Sequence, residues 1–117
     1  MNQNKFIERI EAERVTSIML GQTLDHSNAE AMVEAILRAR ELGHSFIILN
    51  CEKLKFISSA GVGAILGTIE TFRDCGGDIL LCNVSEAIDH VLRVLDLRDF
   101  LTVRATIQDA VAACKKT

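Results

Sequence analysis

Two adjacent serines, Ser58 and Ser59, stand directly before an apolar pattern of helical spacing. The first backbone N–H groups of a helix have no intrahelical partner, and the helix dipole adds about half a positive charge at that end. An anion on either hydroxyl would therefore be stabilised there. Because the flanking Ala60, Gly61 and Gly63 are small, a partner's active site can approach the hydroxyl and its backbone. The segment predicts a phosphoserine site that a kinase would use.

Two other interpretations of these residues stay open on the sequence alone. Serine is among the best N-cap residues, so either hydroxyl can simply accept a hydrogen bond from an unpaired N–H, worth about 1 kcal/mol. The spacing Gly61-x-Gly63-x-x-x-Gly67 also resembles a dinucleotide-binding loop. That fingerprint asks for an acidic residue about twenty positions on. The next predicted strand ends at Cys82-Asn83 instead, so the glycine signal is weak.

Length and composition limit the classes of function. A chain of 117 residues is long enough for one real core, and we expect a single domain over residues 1–117. The formal net charge of −3 lacks the basic footprint of a nucleic-acid binder. Five Phe and no Trp or Tyr leave few platforms for stacking bases. We therefore expect a protein or a small molecule as partner, and no nucleic acid.

The four cysteines are dispersed, without a Cys-x-x-Cys pair or a His at zinc-ligand spacing. We predict reduced thiols that form no disulfide, with no metal and no cofactor. No stretch of about eighteen apolar residues occurs, so we expect a cytoplasmic protein that does not enter a membrane. We also expect a monomer.

The beginning of the chain predicts a β-hairpin. Residues 15–20 are mostly β-branched or apolar and end at Gly21, which is typical of a strand. Residues 5–11 show a shorter alternation, and a turn at residues 12–14 would let the two segments pair.

A first helix should follow a loop over residues 22–27. Apolar residues recur at helical spacing over residues 28–42. Ser27 or Asn28 would be its N-cap, and Gly43 would end it.

The middle of the chain predicts a central strand and a second helix. Residues 45–50 form a continuous apolar run, which suits a strand buried on both faces of a sheet. After the serines, apolar residues recur at helical spacing until Gly76-Gly77. This stripe should be core, worth about 1.5–3 kcal/mol for each buried side chain, and it consists of Val62, Ile65, Leu66, Ile69 and Phe72.

The remaining segments repeat the alternation of strands and helices. We predict a buried strand over residues 78–83, a helix opened by Ser85 and ending near Leu95, a short strand over 101–103 and a last helix over 106–115. Single helices between strands imply right-handed crossovers. The fold class is therefore α/β, with a mixed, mainly parallel sheet of about five strands and four helices.

With its elements in this order, the sequence resembles the anti-sigma factor antagonists of the STAS domain family, nearly end to end. Gly21 is followed by Leu24-Asp25-His26 and Ala29-Glu30, as in that family. The resemblance continues through three further segments, which are residues 47–52 leading into Leu54 and Phe56, Ser59 with Gly61-Val62-Gly63, and Gly76-Gly77 with residues 82–85.

The resemblance implies a phosphoacceptor. Members of the family are typically phosphorylated on the first Ser of an Asp-Ser-Ser/Thr-Gly motif, by a serine kinase that is also an anti-sigma factor. In this chain the Asp falls on Ser58, the acceptor on Ser59, the following hydroxyl on Ala60 and the Gly on Gly61. Ser59 is thus the implied acceptor, with Ser58 as the alternative. Other members resemble this chain in carrying Ile-Ser-Ser-Ala-Gly here.

The resemblance further implies partner switching. The unphosphorylated protein would bind the anti-sigma kinase and free a sigma factor, and a serine phosphatase would reverse the phosphorylation. Asp25 and His26 are similar to family positions near the partner surface, although an N-terminal capping acid and a solvated imidazole would explain them equally well. The implied partner-binding residues are Asp25, His26, Ser58, Ser59, Ala60, Gly61, Val62 and Gly63.

Two competing functions stay open. A STAS domain can instead bind a small ligand or an acyl carrier without a phospho-switch, and this would require an apolar pocket. An enzyme would need a catalytic set around Ser59, but His26, His44 and His90 lie in different predicted elements. We therefore predict no catalytic residues.

Overall fold

The structure, a computed structural model, describes residues 6–114. Its strands are β1 (Ile7–Ala12), β2 (Val15–Met19), β3 (Thr23–Leu24), β4 (Phe46–Asn50), β5 (Phe56–Ile57), β6 (Asp78–Cys82) and β7 (Thr102–Arg104). Its helices are α1 (Ala29–Glu41), α2 (Ser59–Asp74), α3 (Glu86–Val94) and α4 (Ile107–Cys114).

Five strands form the main sheet in the order β1-β2-β4-β6-β7. The hairpin pair β1-β2 is antiparallel, and every other pair in this sheet is parallel. The strands β4 and β6 lie in the centre because their continuous apolar runs bury side chains on both faces. The predicted mixed, mainly parallel α/β sheet with four helices is confirmed.

The helices cover the two faces unequally. The larger core cluster joins α1, α2 and α3 to one face of the sheet, through side chains such as Ile36, Ile69 and Leu92. The smaller cluster packs α4 on the other face, where Ala110 lies with Ile48 and Leu80. Ile65, Ile69 and Phe72 of the predicted stripe on α2 are buried, whereas Val62 and Leu66 are partly buried against the same core.

A second, two-stranded sheet lies outside the predicted elements. Within the predicted loop over residues 22–27, Thr23–Leu24 forms β3, which pairs in parallel with β5 just before the serines. Neither strand is long enough to show a period of two, so only the tertiary pairing reveals them. This small sheet joins the start of α2 to the segment that leads into α1.

Several strands and helices begin or end one residue from their predicted bounds. Two predicted bounds, Lys5 and Lys115, lie outside the described residues. The predicted N-cap of α1, Ser27 or Asn28, is confirmed in position at Asn28 but not as a side-chain cap. Asn28 occupies the N-cap position but makes no side-chain cap hydrogen bond, because its amide is used within the preceding loop. Ser85 caps α3 as predicted, since its Oγ accepts a hydrogen bond from the Ile88 N–H at 3.2 Å.

Candidate functional site

The two serine hydroxyls have different positions. Ser58 is the N-cap of α2, with an extended backbone at φ −95° and ψ 173°. Its Oγ accepts a hydrogen bond from the Gly61 N–H at 3.3 Å. The capping role left open by the sequence therefore belongs to Ser58, which is half-buried.

Ser59 is the first residue of α2 and is exposed. Its hydroxyl makes no hydrogen bond to any other residue in the range 6–114. The first turn of α2 contains no acidic side chain. Because the positive end of the helix dipole is not neutralised there by a carboxylate, an anion on Ser59 is electrostatically tolerated.

The small sheet holds this helix start in place. The Ser58 N–H donates to the Leu24 carbonyl at 2.9 Å, which extends the β3-β5 pairing to the cap residue. Gly61 then passes directly over that strand. A Cβ atom at Gly61 would lie 2.7 Å from the Leu24 carbonyl oxygen, closer than any ordinary contact. Glycine is therefore required here by the close approach of α2 to β3.

The loop between β3 and α1 is stabilised by its own side chains. The Asn28 amide spans it, since Oδ1 accepts from the Asp25 N–H and Nδ2 donates to the Thr23 carbonyl, both at 2.9 Å. Asp25 Oδ1 accepts from the Ser27 hydroxyl at 2.6 Å and from the Ser27 N–H at 2.9 Å. These two hydrogen bonds, the hydroxyl's above all, lower the pKa of the Asp25 carboxyl below its usual value.

Asp25 is thus not the capping acid of α1, because its carboxylate is engaged within the loop. Its backbone carbonyl accepts instead from the N–H groups of Asn28 and Ala29. His26 is exposed, and Asp25 is half-buried. Since Asp25 follows the residue that pairs with Ser58, the loop and the helix start form one surface.

The predicted partner-binding residues divide by exposure. His26, Ser59, Ala60 and Gly63 are exposed, whereas Asp25, Ser58 and Val62 are half-buried. Gly61 is buried and supports the surface from beneath. Two further positioning roles were not predicted from the sequence. The Leu24 backbone carbonyl holds Ser58, and the Asn28 side-chain amide holds the loop after β3.

The dinucleotide-loop interpretation is wrong. Gly61, Gly63 and Gly67 lie inside α2 and not in a loop, and Gly61 is buried whereas Gly63 and Gly67 are exposed. Among residues 6–114, no group of three His, Cys, Asp or Glu side chains stands close enough together to hold a metal ion. None of the helices in the described range is both long enough and apolar enough to cross a membrane.

Comparison with known proteins gives one consistent result. The sequence profile of the STAS domain family matches residues 6–110. An anti-sigma F factor antagonist from Paenibacillus polymyxa is 30% identical over 114 residues, which cover 94% of this chain and 92% of that protein.

Two solved structures of SpoIIAA are similar to this chain. The anti-sigma factor antagonist SpoIIAA in its unphosphorylated form superposes with a TM-score of 0.81 at 27% identity, covering 97% of this chain and 98% of that one. The Bacillus cell fate determinant SpoIIAA in its phosphorylated form gives a TM-score of 0.72 at 28% identity, covering 93% and 98%.

Proposed function

We propose that this chain, which belongs to the STAS domain family, is an anti-sigma factor antagonist that works by partner switching. Unphosphorylated, it binds an anti-sigma factor that is also a serine kinase, and the target of that kinase, a sigma factor or another effector, is released. Phosphorylation of Ser59 ends the binding, and a serine phosphatase restores it. The chain acts as substrate and binding partner, not as an enzyme, in the cytoplasm where the kinase finds ATP.

The placement of Ser59 carries this proposal. Its hydroxyl is exposed at the first residue of α2, while the neighbouring Ser58 hydroxyl is occupied as the cap. The relative SpoIIAA has been solved in both phosphorylated and unphosphorylated forms, and both have the fold of this chain. The proposed partner surface consists of Ser59 with Ala60, Gly63, Asp25 and His26, together with the half-buried Ser58 and Val62.

The switch must act at the interface. A phosphoryl group adds about −1.5 to −2 charge, which the start of α2 tolerates, so the domain stays folded. Bringing that charge against a partner surface costs several kcal/mol through like-charge contact or loss of hydration. Since about 1.4 kcal/mol is a tenfold change in affinity, one modification dissociates a complex of micromolar affinity.

Phosphopeptide mapping tests the acceptor. The probes are the serine kinases of the histidine-kinase-like ATPase type encoded in the genome from which this chain comes, each incubated with the chain and ATP. We expect one phosphate, on Ser59, in the wild type and in Ser58→Ala, and none in Ser59→Ala. Label retained by Ser59→Ala would move the acceptor to Ser58. No label with any of the kinases would contradict the proposed function.

Calorimetric titration against the same kinase tests the switch. Ser59→Asp should weaken binding about 5- to 150-fold, because a carboxylate must be desolvated at the interface but carries less charge than phosphate. Ser59→Ala should bind like the wild type. Equal affinities of Ser59→Asp and wild type, with circular dichroism showing both folded, would place Ser59 outside the interface.

The ligand-binding alternative would need an enclosed apolar cavity. One cleft of about 380 Å³ lies at the carboxyl ends of β6 and β7, but its lining includes the charged side chains of Glu86, Asp89, Arg98 and Arg104. Val84, Val103 and Ala105 also line this cleft, so its lining is of mixed polarity, and the cleft is open to solvent and not an enclosed apolar cavity. The genes that neighbour the gene of this chain distinguish the two functions. A serine kinase or phosphatase gene there would support partner switching, and the absence of both would favour ligand binding.

A further inference from the structure

Phe56 is an exposed aromatic side chain beside the phosphoacceptor. It is 55% exposed, which makes it the most exposed of the five phenylalanines, all of which lie within the described range. Phe72 is buried in the core, and Phe6 and Phe46 are half-buried. A single exposed apolar side chain is ordinary on a protein surface. What distinguishes Phe56 is its position three residues before the proposed phosphoacceptor.

The backbone of Phe56 is held rigidly. Its N–H donates to the Gln22 carbonyl at 3.2 Å, and its strand pairs with β3 in the register Thr23↔Phe56. The next residue, Ile57, points into the core and is 8% exposed. Ordering Phe56 in a complex therefore costs little backbone entropy, which is the property of a preorganised anchor.

Geometry places Phe56 within reach of any protein that contacts Ser59. Residues two apart in a strand are separated by about 7 Å, and their side chains point to the same face, so Phe56 and Ser58 share a face. A typical interface covers about 800 Å² on each partner, which corresponds to a patch of about 16 Å radius. Such a patch centred on Ser59 includes Phe56.

An exposed aromatic side chain lies close to small residues on this surface. The exposed residues Ala60 and Gly63 near Ser59 are small, and Phe56 is a large apolar residue that stays exposed three positions before Ser59. Binding energy concentrates in a few aromatic anchors that fill pockets on the partner. The small residues let the partner approach closely enough for the Phe56 ring to enter such a pocket.

We propose that Phe56 is the apolar anchor of the partner surface, and that it inserts into an apolar pocket of the serine kinase during both binding and phosphorylation. This inference rests on the proposed function, since it takes the kinase as the occupant. It adds that most of the binding free energy comes from the ring of Phe56. The charge that phosphorylation adds at Ser59 then switches the binding off. The two residues then have separable effects.

The experiment compares Phe56→Ala with Phe100→Ala. Phe100 is 43% exposed and contacts Arg73 in the last turn of α2, about 21 Å along the helix from Ser59. The kinase that phosphorylates the wild type is the probe. Phe56→Ala should bind it about 10- to 100-fold more weakly, Phe56→Leu should lie between, and Phe100→Ala should bind like the wild type.

Steady-state phosphorylation separates an anchor from a residue that merely positions Ser59. Loss of an anchor raises KM and leaves kcat unchanged, whereas a displaced Ser59 lowers kcat. Equal affinity of Phe56→Ala and wild type, or a lower kcat at unchanged KM, would overturn the inference while leaving the proposed function intact. If the wild type does not bind the kinase at all, both the inference about Phe56 and the proposed function are contradicted.

Discussion

At the scale of single residues, the two serines divide two tasks that one side chain cannot perform together. A hydroxyl that caps a helix is directed at backbone N–H groups, whereas an acceptor must be open to another protein. Ser58 accepts from the Gly61 N–H, and Ser59 is exposed. The neutral cap also leaves the positive end of α2 available to a phosphoryl group on the next residue.

This division predicts unequal effects of two alanine substitutions on stability. Ser58→Ala should lower the free energy of unfolding by about 0.5–1 kcal/mol, near the low end for lost caps because the hydrogen bond is long. Ser59→Ala should change it by less than about 0.5 kcal/mol, as expected for an exposed side chain. Urea denaturation measures both. A larger loss for Ser59→Ala would mean that Ser59, and not Ser58, is the cap.

At the scale of elements, the contact between α2 and β3 fixes the site. The Leu24 carbonyl accepts from the Ser58 N–H and lies against Gly61, so a change at either element displaces the serines. The Asn28 amide holds the loop that follows β3. The partner surface is therefore positioned by β3 and β5, which have only two residues each.

A pair of glycine substitutions in α2 tests this contact. Gly61→Ala should destabilise the domain by about 1–3 kcal/mol, because the new Cβ must push the backbone of β3 away. Gly67→Ala is the matched control, since a Cβ there would meet no atom within 4 Å. It should stabilise the helix by about 0.5–1 kcal/mol. Thermal unfolding of both variants gives the comparison, and a neutral Gly61→Ala would contradict the close approach.

At the scale of the whole molecule, the core holds thiols that resist ionisation. Burial raises the pKa of the Cys51 thiol to about 12 and those of Cys82 and Cys114 to about 11, from an ordinary value of 9.0. Between pH 9 and 11 the unfolded chain therefore loses protons that the folded chain keeps. The free energy of unfolding should fall as the pH rises through this range.

Urea denaturation at a series of pH values measures this dependence. Each such thiol contributes a slope of up to about 1.4 kcal/mol per pH unit. Cys51→Ala should make the decline shallower, whatever its effect on stability at neutral pH. Cys75→Ala is the control, because this exposed side chain meets solvent in both states. An unchanged slope in Cys51→Ala would show that its thiol is not protected by the core.

The order of the five main-sheet strands and the four helices, with their buried faces, followed from the sequence, because apolar periodicity directly reflects burial in strands and helices. The pair of serines before α2 was equally visible, since helix starts have a local chemistry. Which serine caps depends on the extended backbone of Ser58, and that backbone is held by a hydrogen bond to Leu24, distant along the chain. The same is true of the β3-β5 pairing and the need for Gly61, which arise from contacts between separate segments. Phe56 stays exposed because no such segment within the described range covers it. Only the tertiary structure decides such contacts, because no local pattern of residue types encodes them.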